Sequence, residues 1–154
     1  MGKRLMLKNN KLLVLLFLVT FMLPTTARPA MQIFYGAKVM HICNANTIIV
    51  NDLYTHELET VIIAGTIAPT NFNQDDNGKR YLTTMILGQE VDVLSYGHDK
   101  YGRVVADLKD HRNLWISYDL IAGGFVYWNR SLGYDYTAEH CENFARKHHS
   151  GVWR

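Results

Sequence analysis

The chain has 154 residues with 16 Lys plus Arg against 14 Asp plus Glu, a formal net charge of +2, and only two cysteines. That length suits one compact domain rather than two, and two cysteines permit at most one disulfide. If Lys3, Arg4, Lys8 and Lys11 are removed with an N-terminal leader, 12 basic residues remain against 14 acids. The net charge becomes −2, which withdraws the bulk basic surface that phosphate-neutralising nucleic-acid binders rely on.

Those four basic residues open the chain, and Leu12 to Leu23 follows as an uncharged stretch ending in Pro24-Thr25-Thr26-Ala27. This is the layout of a secretory signal peptide over 1–27, and the stretch is well short of the roughly 20 apolar residues that span a bilayer. The expected organisation is therefore the signal at 1–27, an extension at 28–35 and a domain at 36–154, in a protein exported to the periplasm or beyond the cell. Cys43 and Cys141 would then meet oxidising conditions, either as a disulfide or as two separately buried thiols.

Ala37 to Cys43, Thr47 to Val50 and Leu58 to Ala64 are short β-branched runs separated by polar turns, and are predicted strands. Asp75-Asp76-Asn77-Gly78 reads as a solvated turn, because the alternating pattern and closing Glu of a calcium loop are missing. That turn opens a helix over Lys79 to Leu87, with Leu82, Met85 and Ile86 on one face and Gly88 as its stop. Glu90 to Tyr96 and Val104 to Leu108 alternate as two more strands, turning at Gly97 to Gly102. Leu114 to Ala122 ends at Gly123-Gly124 before the strand-like Phe125 to Trp128, and Tyr136 to His149 closes the chain as a helix. Five strands with about three helices form an α+β arrangement of the OB-fold barrel kind.

Three segments carry more specific information: Asn44-Ala45-Asn46-Thr47, Val61 to Thr70, and Asp99-Lys100-Tyr101-Gly102-Arg103. Together with the ending Ser150-Gly151-Val152-Trp153 they resemble, in order and spacing, the staphylococcal nuclease (thermonuclease) family. The corresponding family segments read roughly D-G-D-T, V-R-L-x-G-I-D-T-P-E and D-x-Y-G-R. The resemblance covers about Gly36 to Trp153 and implies the same barrel. It also implies a site in which carboxylates hold a hard cation, a carboxylate activates water and two guanidinium groups stabilise charge on phosphorus.

In this frame the two acids of the first turn fall on Asn44 and Asn46, the latter a metal-ligand position. The second ligand acid falls on Ile67 and its Thr neighbour on Ala68, while the water-activating Glu falls on Thr70 and the first catalytic Arg on Ile62. Arg103 is the one charged catalytic position kept. Residues that shape turns and core, such as Thr47, Gly65, Pro69, Tyr101, Gly102 and Trp153, are present, whereas those serving chemistry are largely exchanged.

The expectation is an exported, catalytically inactive domain acting as a binding or structural module. Its expected partners are proteins of the cell envelope, such as a secretion assembly, and it needs no cofactor. One alternative is a metal-dependent nuclease or phosphodiesterase rewired around Arg103, using Ca2+ and with Asp99 or Asp75 as a replacement ligand. A second is a noncatalytic nucleic-acid binder. A binding surface is expected around Tyr101, Trp128, Tyr134 and Tyr136, with Phe125 and Tyr127 packing the core and Trp128 and the tyrosines at its rim. His140 and His148 could share a helix face, but the seven histidines show no compact ligand spacing and read as surface residues.

Overall fold

The computed structural model describes residues 33–154. The expected leader at 1–27 and the first part of the expected extension lie outside the described residues. Strand β1 (Ile33–Ile42) is followed by β2 (Thr47–Asp52), β3 (Leu58–Ile63) and the two-residue β4 (Thr66–Ile67). Helix α1 (Phe72–Ile86) leads to β5 (Glu90–His98) and β6 (Val104–Lys109). Helix α2 (Ile116–Ala122), β7 (Tyr127–Trp128) and helix α3 (Tyr136–Lys147) complete the chain, with short 3-10 turns at Arg130–Leu132 and Gly151–Trp153.

Five strands close into a barrel in the order β1-β2-β3-β6-β5, while β4 and β7 form a separate two-stranded sheet. All barrel neighbours are antiparallel except β3 and β6, which run parallel from Val61 opposite Val104. This is the α+β, OB-fold-like barrel expected from the strand spacing. Period-two alternation sends Val91, Val93 and Ser95 of β5 and Val104, Ala106 and Leu108 of β6 inward. Val105, Asp107 and Lys109 are left on the outer face. The core joins these residues to Val39, Ile48, Val50, Val61 and Ile63, with Leu82, Ile86, Leu120 and Ile121 supplied by the helices.

The first helix departs from expectation. It begins at Phe72 rather than Lys79, and Asn71 caps it by accepting from the backbone N–H groups of Asn73 and Gln74. Asp75-Asp76-Asn77-Gly78 is thus helical. Gly78 is present because of close approach: a Cβ there would lie 2.5 Å from the Ala45 Cβ. The Ala45 N–H donates to Asp75 Oδ1 at 2.9 Å, so α1 is bonded directly to the β1–β2 turn. A local reading of Asn-Gly as a turn misses this, because the requirement for glycine comes from a turn about thirty residues earlier in the chain.

A second contact of the same kind ties the C-terminus down. A Cβ on Gly151 would lie 1.9 Å from the Gly124 carbonyl oxygen, and Val152 N–H donates to that oxygen at 2.8 Å. Helix α3 ends at Lys147, two residues before the expected end. Cys43 and Cys141 are free and half-buried, so the possible bridge between them is not formed. Cys141 instead packs against the core from α3.

Candidate functional site

The β1–β2 turn is held together by amide groups. Asn44 Oδ1 accepts from the Asn46 backbone N–H at 3.0 Å. Asn46 is buried, donating through Nδ2 to the Thr66 carbonyl at 3.3 Å and accepting the Thr47 hydroxyl on Oδ1 at 3.1 Å. Its carbonyl also accepts the Ile63 N–H, which joins the turn to β3. Both ends of the Asn46 amide are therefore used inside the protein. A carboxylate could not make the donation to Thr66.

Ile67 lies on β4 and is 47% exposed, paired across the small sheet with Tyr127. Ala68 packs against the core, Thr70 is exposed, and Ile62 is half-buried on β3. None of these side chains offers a charged oxygen or a cation. A calcium ion of the kind the resemblance implies does not fit this set, since it needs several oxygen ligands, usually including carboxylates. Among the described residues no group of three His, Cys, Asp or Glu side chains is placed to hold a metal ion. All seven histidines are exposed.

Arg103 follows the β5–β6 turn, and that turn occupies it. Asp99 Oδ1 accepts the backbone N–H groups of Tyr101 and Arg103 at 2.9 and 3.0 Å, while Oδ2 accepts Arg103 Nε at 2.8 Å and pairs with Nη2 at 2.8 Å. Burial works to raise the Asp99 pKa. The Arg103 backbone N–H, the Arg103 guanidinium and the Tyr101 N–H outweigh it and hold the carboxyl below the usual carboxylate range. Tyr101 is exposed and carries the Lys100 ammonium and the Arg103 guanidinium over its ring, at 4.9 and 5.2 Å. Asp99 is thus committed to its own turn.

The expected aromatic surface divides. Tyr101 sits alone on the β5–β6 hairpin. Trp128, Tyr134 and Tyr136 come together around a cleft of about 720 Å³ between the outer face of the barrel, α2 and the start of α3. Trp128 is buried rather than at a rim, because β7 pairs with β4 and turns its indole toward the core. Tyr134 and Tyr136 are exposed. Phe125 is half-buried and stacks on Tyr81 at 4.3 Å, and Tyr127 meets Trp153 edge-on at 5.3 Å.

Two carboxylates absent from the sequence-derived site also line this cleft. Asp107 accepts the Tyr96 hydroxyl at 2.6 Å, and Asp135 accepts the Tyr118 hydroxyl at 2.9 Å while capping α3. Burial raises the Asp107 pKa. Hydrogen bonds from Tyr96 and Ser117 oppose that rise, the charge of Asp135 adds to it, and the net shift is upward. Burial and the bond to Asp135 push the Tyr118 hydroxyl up to about 12. An aspartate at an outward position of an alternating strand reads as an ordinary solvated residue, and for Asp135 a capping place ahead of the closing helix is the one local signal that could have found it.

No curated protein matches the chain. The model of the family described as "Staphylococcal nuclease homologue" matches residues 68–154, more than half of the chain, from just before α1 through β5, β6 and the C-terminal helices. The match begins after the β1–β2 turn, Ile62 and Ile67, so Asn44, Asn46, Ile62 and Ile67 fall outside it. With the closed five-stranded barrel and that match together, this chain belongs to the staphylococcal nuclease homologue family.

Proposed function

We propose that this domain has left phosphodiester hydrolysis and serves as an exported, noncatalytic binding or structural module, engaging protein partners of the cell envelope such as a secretion assembly. The observation that carries this reading is the set Asn46, Ile62, Ile67 and Thr70, which offers no carboxylate and no cation where the resemblance expects metal ligands, a base and a first arginine. The one charged position matching the family's catalytic set spends Nε and Nη2 on a carboxylate of its own turn. The Asn46 amide, engaged with Thr66 and Thr47, supports it further. An arginine aimed at a transferring phosphoryl group is worth about 10³–10⁵ in rate, but Arg103 has no metal ligand or base at Asn46, Ile67 or Thr70 to act with.

A rewired nuclease would need Asp99 or Asp75 as a new metal ligand. Both oxygens of Asp99 already accept hydrogen bonds, and one oxygen of Asp75 holds the Ala45 N–H. The leader-like N-terminus is the ground for export, and the mature net charge of −2 weighs against a nucleic-acid role.

The test is hydrolysis of single-stranded DNA and RNA by the purified protein with calcium, magnesium, zinc or chelator, beside Arg103→Ala. No cleavage by a folded sample is expected in any condition. Metal-dependent cleavage that disappears in Arg103→Ala would overturn the reading. Salt-sensitive oligonucleotide binding without cleavage would move the function to nucleic-acid binding.

A further inference from the structure

The cleft beside α2 and α3 contains none of Asn46, Ile67, Thr70 or Arg103, and its chemistry differs from theirs. Among the described residues its lining holds two carboxylates, Asp107 and Asp135, and no Lys, Arg or His. Neither aspartate forms an ion pair among the described residues. Arg130, whose guanidinium lies 4.4 Å over the Trp128 ring, is paired with the buried Glu142 and does not line the cleft.

Hydrogen-bond supply decides what the cleft can hold. Tyr96 donates to Asp107, Tyr118 to Asp135 and Tyr134 to Glu139. Three of the four tyrosine hydroxyls in the lining have thus spent their protons, and what remains is mostly acceptor. A well-matched occupant must bring donors, bring positive charge and tolerate aromatic walls. Ammonium and guanidinium groups are donors without acceptors, and they are attracted to the faces of aromatic rings. The apolar part of the wall, from Val105, Ile121 and the Trp128 ring, suits the carbon stem of such a group.

We propose that this cleft binds an organic cation, an alkylammonium or alkylguanidinium group on an apolar stem, with Asp107 and Asp135 as its counter-charges and Tyr134 and Tyr136 at its mouth. The site is separate from the Arg103 turn and stands whether or not the protein cleaves nucleic acid. Its cost to the fold is visible in Asp107, a carboxylate kept partly out of water beside a second one.

The experiment is a titration of the full chain with n-butylguanidinium and n-pentylammonium, followed by amide NMR shifts and calorimetry, with n-hexanol as a neutral probe of similar length. Saturable shifts at Ser117, Tyr118, Tyr134 and Asp135 are expected with the cations and not with the alcohol. Asp107→Asn should weaken binding roughly tenfold or more, the scale of one charge-assisted hydrogen bond. Asp135→Asn should also weaken it while keeping the helix cap, since asparagine caps as well as aspartate. Asp92→Asn, exposed on β5 and outside the cleft lining, should leave it unchanged. A glycine-serine peptide with a single arginine, compared with its citrulline twin, identifies the source. Tighter binding of the arginine peptide than of butylguanidinium points to a partner polypeptide, and equal or weaker binding to a free amine. No saturable binding of either cation, or unaltered binding by a folded Asp107→Asn, would overturn the proposal.

Discussion

Asp99 and Asp107 lie on one hairpin and are perturbed in opposite directions. Asp107 has its pKa raised on folding, first by burial, so its ionised form costs stability. That cost is absent below the unfolded pKa, near 3.9 for aspartate, and is fully present once pH exceeds the raised folded value. Asp107→Asn should therefore melt higher than the parent at pH 7, with the gain shrinking as pH falls toward the unfolded value, as thermal melts across pH would show. For Asp99, burial is outweighed by the bonds from Arg103 and Tyr101 and the folded pKa is depressed. Its contribution is present above the unfolded pKa and lost as pH falls through the folded one, so Asp99→Asn should lower the melting temperature at pH 7 and matter less in acid. At Asn46 the isosteric change to Asp removes the donor to Thr66 in a buried place. Denaturant unfolding of Asn46→Asp should show a loss of about 1–3 kcal/mol.

Helix α1 is where local and tertiary signals conflict most. Its apolar face at Leu82 and Ile86 and its stop at Gly88 are readable from spacing, and the structure keeps them. Its first two turns were not readable, because Asp-Asp-Asn-Gly has turn composition. Two long-range contacts override that composition, the Asp75 bond to Ala45 and the packing of Gly78 on Ala45. Gly78→Ala, which would suit an isolated helix better, should instead destabilise the protein by about 1–3 kcal/mol through overpacking against the β1–β2 turn. Chemical denaturation of this variant beside a Gly→Ala change at an open position would separate packing from propensity. The β5–β6 hairpin shows the opposite case. Asp99, Gly102 and Arg103 are near neighbours in sequence, so the turn itself was legible.

At the scale of the whole molecule, barrel closure through the parallel β3–β6 pair brings Ile62 and Val105 side by side, helix α2 packs on β6, and α3 packs on α2 and β7. Glu142 is 1% exposed inside this packing and is paired with Arg130 and Arg146, which fastens α3 to the segment after β7. In this fold Cys43 and Cys141 are both free thiols. Without reductant, two thiols per chain should react with a thiol reagent after unfolding. In the folded protein Cys141 should react slowly, because burial, then Asp135 and Asp119, push its thiol up and keep it protonated. Fewer than two reactive thiols in the unfolded chain would mean that a bridge forms.

The amino-acid sequence by itself determined the succession of barrel strands along the chain, the stops at Gly88 and Gly123-Gly124, the closing helix, and the uncharged side chains at Asn46, Ile67 and Thr70. These are carried by alternation, turn residues and side-chain identity, all of which act over a few residues. Only the tertiary structure decided that Trp128 is buried rather than at a rim and that Asn-Gly sits inside a helix. It also decided that Asp107 and Asp135, from a strand and a later helix cap, share one cleft with no cation. Direction, burial and charge balance depend on which distant segments are packed together, and chain closure sets that for the molecule as a whole.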